Sequence, residues 1–371
     1  MPLHRTPLFD WHSHHGGRMV EFGGWEMPVQ YSSIVDEHHV VRKAAGLFDI
    51  SHMGRLRFQG ADAQKLLDHL LTCRVDNLID GQIRYALVCN EAGHILDDVL
   101  VNRFHATSFG LVVNASNRVK IVNWITLQTS NLRESGQNID VTFDDETLQT
   151  GMIAIQGPQS LALLQQVTQA DVSALRYYSG FSTNINDFPV FISRTGYTGE
   201  DGFEVIAPAH ATVELWEMLI TACQAAGLKP CGLGCRDTLR LEAAMPLYGH
   251  ELSESIDPIT AGLKSAVKLE KKDFIGRDAL LKINDQTDRA VRVGLKLNSK
   301  RIAREHSEIF VSADRVGEVT SGTFSPTLEQ SIAMAYVTMP YSATGTGVTV
   351  DIRGKREAAE IVPLPFYKRD K

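Results

Sequence analysis

Residues Arg84–Phe104 read RYALVCNEAGHILDDVLVNRF: two apolar runs, RYALVCN and ILDDVLVNRF, flank a short segment that contains Gly93. Runs rich in Val, Leu and Ile joined by so few residues predict a β-hairpin, and a hairpin means antiparallel pairing. Inside the second run sit two adjacent carboxylates, Asp97 and Asp98. With a side-chain period of two, Asp97 shares a face with Ile95, Val99 and Val101, and Asp98 shares the other with Leu96 and Leu100. Unless a bulge intervenes, the two point to opposite sides of the sheet. That argues against a carboxylate dyad converging on one bond, as in a glycosidase or an acid protease. It leaves one Asp for a pocket and one for a structural partner such as a backbone amide or an arginine.

The pattern continues on both sides of the hairpin. GRLRFQG (54–60) predicts a strand, ADAQKLLDHLL (61–71) a helix, FGLVVN (109–114) another strand, and a helix follows from about Asn117. GMIAIQGPQSLALLQQV (151–167) is strand, Gly-Pro turn and helix, and FPVFISRTGYTGEDGFEVIAP (188–208) is two strands around a glycine-rich loop. Upstream, SIVDEHHVVRKAAG (33–46) has Ser33 and Asp36 in capping-box spacing, apolar Ile34, Val41, Ala44 and Ala45, and a closing glycine, which predicts an amphipathic helix. Strands joined by short turns and interrupted by helices predict an α+β class rather than a doubly wound sheet. From about Asp288 the texture changes: AVRVGLKL (290–297), GEVTSGTFSP (317–326), SIAMAYV (331–337) and GVTVDIRGK (347–355) follow at short intervals, the pattern of a separate β-sandwich or barrel. No short internal repeat, heptad run or low-complexity segment is visible.

At 371 residues the chain exceeds the roughly 250–300 at which one core stops growing, so more than one domain is expected. A formal net charge of −7 gives no reason to expect nucleic acid or an anionic membrane as partner. MPLHRTPLFDWHSHHGG has no basic segment leading into an apolar one, and no long apolar run occurs anywhere, so a cytoplasmic protein is expected. Five cysteines, Cys73, Cys89, Cys223, Cys231 and Cys235, read as reduced, buried thiols. The C-x3-C pair has no second pair beside it, and His12, His14, His15, His38 and His39 lack the spacing of a ligand set, so no metal is expected.

Two further stretches carry candidate chemistry. RTGYTGEDGFE (194–204) is a loop whose glycines let backbone approach a ligand, ending on Glu204 at the start of a strand. A carboxylate there accepts two parallel hydrogen bonds, which suits an amino-heterocycle with a ring N–H beside an NH2 group. CGLGCRDTLRLEAAMPLYG (231–249) reads as a loop entering a helix, with Arg236 in a first turn whose dipole disfavours a cation unless Asp237 compensates. GLG here lacks the third glycine of a dinucleotide fingerprint, and neither a Walker A sequence nor a G-x-S-x-G elbow is present.

These motifs, together with TPLFDWH, GGRMVEFGGWEMPVQY, LFDISHMG, LVVNASN, IAIQGPQS and TSGTFSPTL in this order, closely resemble the T-protein family of the glycine cleavage system over nearly the whole length. The resemblance implies a three-domain cloverleaf around a folate cavity: a region 1–280 of two intertwined α+β subdomains, one at roughly 50–140, and a β-barrel domain at 281–371. It implies an aminomethyltransferase that passes the aminomethyl carbon from the lipoyl arm of H protein to tetrahydrofolate, releasing ammonia and forming 5,10-methylenetetrahydrofolate, with a functional link to the P and L proteins. It further implies Asp98 as the functional carboxylate, with Asp97 structural, Glu204 as the pterin-binding residue, Arg236 near the folate tail and Arg353 as an arginine from the barrel. Tyr85, Val113, Asn114 and Tyr248 correspond to positions that line the cavity. His94 stands where the family usually has a second glycine, so the hairpin tip is expected to differ if that position needs a positive φ. Two other folate-binding readings share the scaffold. One is a free-standing demethylase. The other is an accessory protein of iron–sulfur assembly, whose cysteine-containing KGCYxGQE loop this chain replaces with RTGYTGEDGFE.

Overall fold

The computed structural model describes residues 2–369 as two facing antiparallel sheets, a small N-terminal sheet and a closed barrel. The first sheet is ordered 83–89, 95–105, 108–113, 54–59, 142–145, so the hairpin of the opening stretch forms its outer edge. The second is ordered 180–185, 188–193, 202–208, 150–156, 46–49, 229–230, antiparallel except for the last short pairing. A repeat hides in this arrangement. Strand 54–59, helix Ala63–Leu70, three meandering strands and helix Arg118–Glu134 make one βαβββα unit. Strand 150–156, helix Ser160–Gln165, three meandering strands and helix Thr212–Cys223 make another. The fifth strand of the second sheet, Gly46–Asp49, precedes the whole first sheet in sequence, so the chain interleaves the two.

Each sheet buries one face under its own helices. Val99, Val101, Phe109 and Leu111 pack with Leu66, Leu67, Leu70, Ile121 and Ile125 beneath the first sheet, and Ile153, Ile155, Phe203 and Val205 pack with Leu163, Leu215, Trp216 and Leu219 beneath the second. The opposite faces meet: Leu100 and Val112 from the first sheet share a cluster with Phe48, Met152, Ala154 and Ile206 from the second and with Cys235 and Leu239 from helix Leu233–Glu242. At about 25 cal/mol per Å² of apolar surface removed from water, such clusters supply the main stabilising term.

The hairpin contains a bulge. Val88 pairs with Asp97 but Cys89 pairs with Ile95, leaving Leu96 as the extra residue. Asp97 and Asp98 do face opposite ways, as the alternation predicts, but upstream of the bulge the faces exchange: Leu96 joins Val99 and Val101, and Ile95 joins Leu87 and Cys89. The left-handed residue of the turn is Gly93 (φ +80°), not His94, whose N–H bonds the Asn90 side chain at 3.0 Å. The histidine therefore occupies its position without backbone strain.

Helix Ile34–Lys43 begins as predicted, with Ser33 Oγ accepting from the Asp36 N–H at 3.1 Å. It ends at Ala44, and Gly46 opens the next strand rather than closing the helix. The histidines do not converge: His12 bonds Asp49 and Tyr31, His38 bonds Thr238 and Thr327, and His14 and His15 cap their own helix. All five cysteines are free and buried.

From Ala290 to Val362 six strands close into a barrel, in the order 290–297, 330–338, 314–325, 308–311, 347–351, 356–362 and back to the first. Val291, Val293, Leu295 and Leu297 pack into its core as one face, as the alternation along AVRVGLKL predicts. Polar clamps join it to the rest. Buried Glu242 accepts from Ser325 and the Thr327 N–H on the barrel side and from Arg42 at 2.7 Å on the other. Arg240 bonds Ser321 at 2.9 Å and Glu251 at 2.8 Å. Among the described residues no helix is long and apolar enough to cross a membrane.

Candidate active site

On the first sheet, Tyr85, Leu87, Asp98, Leu100 and Val112 lie on the face turned toward the second sheet, because directly paired residues share a face, and Asn114 follows directly after the end of strand 108–113. On the second, Glu204 and Ile206 extend the facing side, paired with Ala154 and Met152. The fold thus points one carboxylate from each sheet into the space between them.

Asp98 is held at both oxygens. Tyr85 Oη donates to Oδ2 at 3.0 Å and Asn114 Nδ2 to Oδ1 at 2.8 Å. Burial raises its proton affinity, and these two donors oppose the rise. Asp97, fully buried under the helices, accepts from the Asn114 N–H at 3.0 Å, Asn114 Nδ2 at 2.8 Å and Asn117 Nδ2 at 2.6 Å. It has amide partners and no arginine among the described residues. Val113 is the buried end of the strand that presents Asn114.

Glu204 is buried, with Thr195 Oγ1 donating to Oε2 at 2.5 Å while Oε1 has no protein partner among the described residues. Burial raises its carboxyl, and the Thr195 bond and the charge of Arg236 oppose that. Arg236 is the fourth residue of helix Leu233–Glu242; its guanidinium lies 4.8 Å over the Tyr197 ring, and its buried Nη1 has no hydrogen-bond partner among the described residues. Asp237, the neighbour that could compensate, directs its carboxylate to Arg240 at 2.7 Å and forms no hydrogen bond with Arg236. The glycines of the GLG segment serve packing: a Cβ on Gly232 would sit 2.4 Å from the Val29 backbone, so the helix entry lies directly on strand Trp25–Gln30.

Tyr248 Oη accepts from Lys120 at 2.8 Å and donates to the Ile95 carbonyl at 3.3 Å, and Lys120 also pairs with Glu254 at 2.8 Å. Arg353 is in the exposed turn between the last two barrel strands at φ +57°, bonded to none of these residues. The barrel residue with an electrostatic effect on the cluster is Arg292, which lowers the raised pKa of Tyr85 and bonds the Ala244 carbonyl at 3.0 Å. Tyr178 and Tyr197 were not singled out from sequence, although both feel the charge of Asp98, and Tyr178 also that of Glu204. Their only sequence signal was proximity to glycine-rich turns. Asp98, Tyr85, Asn114, Tyr178, Tyr197, Glu204 and Arg236 therefore form one electrostatic neighbourhood, assembled from both sheets and the helix between them.

The model of the GCVT N-terminal domain matches residues 8–271 of this chain, and that of the glycine cleavage T-protein C-terminal barrel domain matches 291–368. The chain belongs to the glycine cleavage T-protein family. An aminomethyltransferase from Symbiobacterium thermophilum is 46% identical over 370 residues, spanning 99% of this chain and 98% of that one. An aminomethyltransferase from Bacillus mycoides is 43% identical over 372 residues, spanning 100% and 99%. The crystal structure of the glycine cleavage system aminomethyltransferase T from Bartonella henselae superposes with a TM-score of 0.89 at 34% identity, covering 99% of this chain and 98% of that one. As a T-protein family member this chain is an enzyme, a transferase of the aminomethyltransferase kind.

Proposed function

We propose that the enzyme transfers the aminomethyl carbon from the lipoyl arm of H protein to tetrahydrofolate as co-substrate, releasing ammonia and forming 5,10-methylenetetrahydrofolate, within a cytoplasmic glycine cleavage system that also includes the P and L proteins. The observation that carries this reading is the pair of carboxylates presented from facing sheets: Glu204 with one oxygen unengaged, and Asp98 held by Tyr85 and Asn114. An open carboxylate oxygen matches the N–H and NH2 edge of a pterin. A buried guanidinium nitrogen without a partner, as at Arg236, costs free energy until an anionic or carbonyl acceptor reaches it, which matches the glutamate end of a folate. Arg353, exposed on its barrel turn, is a second proposed cation for that tail, and Tyr85, Val113, Asn114 and Tyr248 are proposed to line the cavity.

The proton balance calls for a group like Asp98. The carbon of S–CH2–NH2 leaves both sulfur and nitrogen and bonds two folate nitrogens, whose two N–H protons end on the ammonia and the thiol. No oxidant is needed. Asp98 stabilises positive charge at the carbon as nitrogen departs, accepts a proton from an attacking folate nitrogen and returns it to a leaving group. Glu204 and Arg236, binding opposite ends of the co-substrate, hold the reacting nitrogen in range.

The test is an assay with aminomethyl-loaded H protein, with and without tetrahydrofolate, following ammonia and methylenetetrahydrofolate. Folate-dependent ammonia release supports the proposal. Absence of turnover by a protein that still binds folate would overturn it, and methylated amine donors would then be tried.

A further inference from the structure

Asp97 is the carboxylate that the proposed chemistry leaves unused, and its surroundings differ from those of an ordinary structural acid. It is fully buried, yet no lysine, arginine or histidine bonds it among the described residues. Its three partners, the Asn114 N–H at 3.0 Å, Asn114 Nδ2 at 2.8 Å and Asn117 Nδ2 at 2.6 Å, are all donors. None can accept a proton from a neutral carboxyl, so a proton on Asp97 would be left without a hydrogen-bond acceptor. Asp98 is built the other way: Tyr85 Oη, 3.0 Å from its Oδ2, can turn to accept. The two acids share one amide, since Asn114 Nδ2 lies 2.8 Å from Oδ1 of each.

We propose that Asp97 is a positioning residue for Asp98: through the shared Asn114 amide it fixes the carboxylate, and by its own charge it decides how firmly Asp98 grips the proton that the reaction moves. Two negative charges in one dehydrated site repel, and the proton that relieves the repulsion belongs on the member with an available acceptor, Asp98. Burial pushes both acids above the usual carboxylate range, and Asp98's charge adds to the rise at Asp97. The other groups facing the pair do not supply a competing charge. Tyr85 from the paired strand, Tyr178 and Tyr197 from the second sheet, and Tyr248 are all held protonated by burial. Lys120 behind Tyr248 is paired with Glu254, and Arg292 from the barrel acts on Tyr85.

The inference rests on the role of Asp98 proposed above, and the experiment separates the two. The pH dependence of kcat/KM is measured for the wild type and for Asp97→Asn, with folate affinity alongside. The expected result is that the acid limb moves down by about one pH unit, the size set by losing a neighbouring like charge, while folate affinity is kept. A uniform loss of activity with the limb unmoved would make Asp97 merely structural and overturn the proposal. Should Asp97→Asn fail to fold, difference infrared spectroscopy of the wild type against Tyr85→Phe decides, because the Tyr85 hydroxyl bonds Asp98 and not Asp97. A protonated-carboxyl band persisting above about pH 5, where ordinary carboxyls have ionised, and shifted in frequency in Tyr85→Phe, supports the proposal. The same band unshifted in Tyr85→Phe would place the proton on Asp97 and overturn it. The infrared result does not depend on turnover, so an inactive wild type would count against the proposed reaction alone.

Discussion

The two central sheets run through the same βαβββα course, but they treat their acids differently. The first sheet surrounds Asp97 and Asp98 with amides and one hydroxyl, and among the described residues no cation bonds either of them. The second gives its acids strong partners: Asp49 on strand Gly46–Asp49 bonds His12 at 2.9 Å, Thr6 at 2.6 Å and the Ser51 N–H at 2.8 Å, and Glu204 has Thr195 and the field of Arg236. Burial alone would raise Asp49, yet His12 and the neighbouring donors bring it down to about 2, while Asp97 and Asp98 are left raised. One scaffold thus offers, on the first sheet, a pair of carboxylates poised to exchange protons and, on the second, Asp49 as a fixed anion for cohesion, with Glu204 between these extremes, raised by burial and held back by Thr195 and Arg236. The difference lies in what each strand end meets, not in the topology.

Replacing the acids should separate these roles. Asp98→Asn is expected to lower turnover by roughly 10²–10⁴-fold, the range for a lost proton-transfer group, with tetrahydrofolate affinity nearly unchanged. Equal loss of both in the coupled assay and in a titration of folate binding would make the first sheet a binding surface like the second. Glu204→Gln should do the reverse, raising the Kd for tetrahydrofolate by about 10–100-fold through a lost charge-assisted hydrogen bond, with kcat changed less. An unaffected Kd would remove Glu204 from the folate site.

The contrast also carries a sign in pH. Asp49 has a depressed folded-state pKa, so its stabilising contribution, on the order of 2 kcal/mol, is present above the unfolded value of 3.8 and is lost as pH falls toward about 2. Asp97 and Asp98, with raised folded-state values, bind protons more tightly when folded, so their contribution to stability falls as pH rises through the raised values. Denaturant midpoints measured for Asp49→Asn should show a flatter fall on the acid side than the wild type, and Asp98→Asn a flatter fall above it. Parallel curves for both variants would erase the distinction. The smallest effect is expected from Tyr85→Phe: one hydrogen bond to Asp98 removed, worth about 1–2 kcal/mol, read as a several-fold drop in kcat with thermal stability changed little.

Much of this was legible in order along the chain. The hairpin, the capped helix at Ser33 and the alternating Val293, Leu295 and Leu297 obey local periodicities of 2 and 3.6, so they can be read without tertiary knowledge. The opposed directions of Asp97 and Asp98 followed from the same rule. The bulge at Leu96 did not, because a one-residue insertion is defined only by the partner strand's register, and neither did the repeat, because two units can share hydrogen-bonding order without sharing residues. Tyr178 and Arg292 escaped notice for a similar reason, since each reaches the site from a segment distant in sequence, whereas Tyr197 lies inside the RTGYTGEDGFE loop and only its packing against Arg236 marks it.

The sequence by itself therefore determined the elements, the antiparallel class, the C-terminal all-β unit and, through its ordered motifs, the family. Only the tertiary structure decided which acid meets amide donors alone and which meets a hydroxyl that can also accept, that Gly93 rather than His94 takes the left-handed turn, and that Asp237 serves Arg240 rather than Arg236. The reason is physical: backbone propensity and apolar periodicity act over a few residues, whereas the charge state of a buried carboxylate is set by whatever the fold brings within about 3 Å of it.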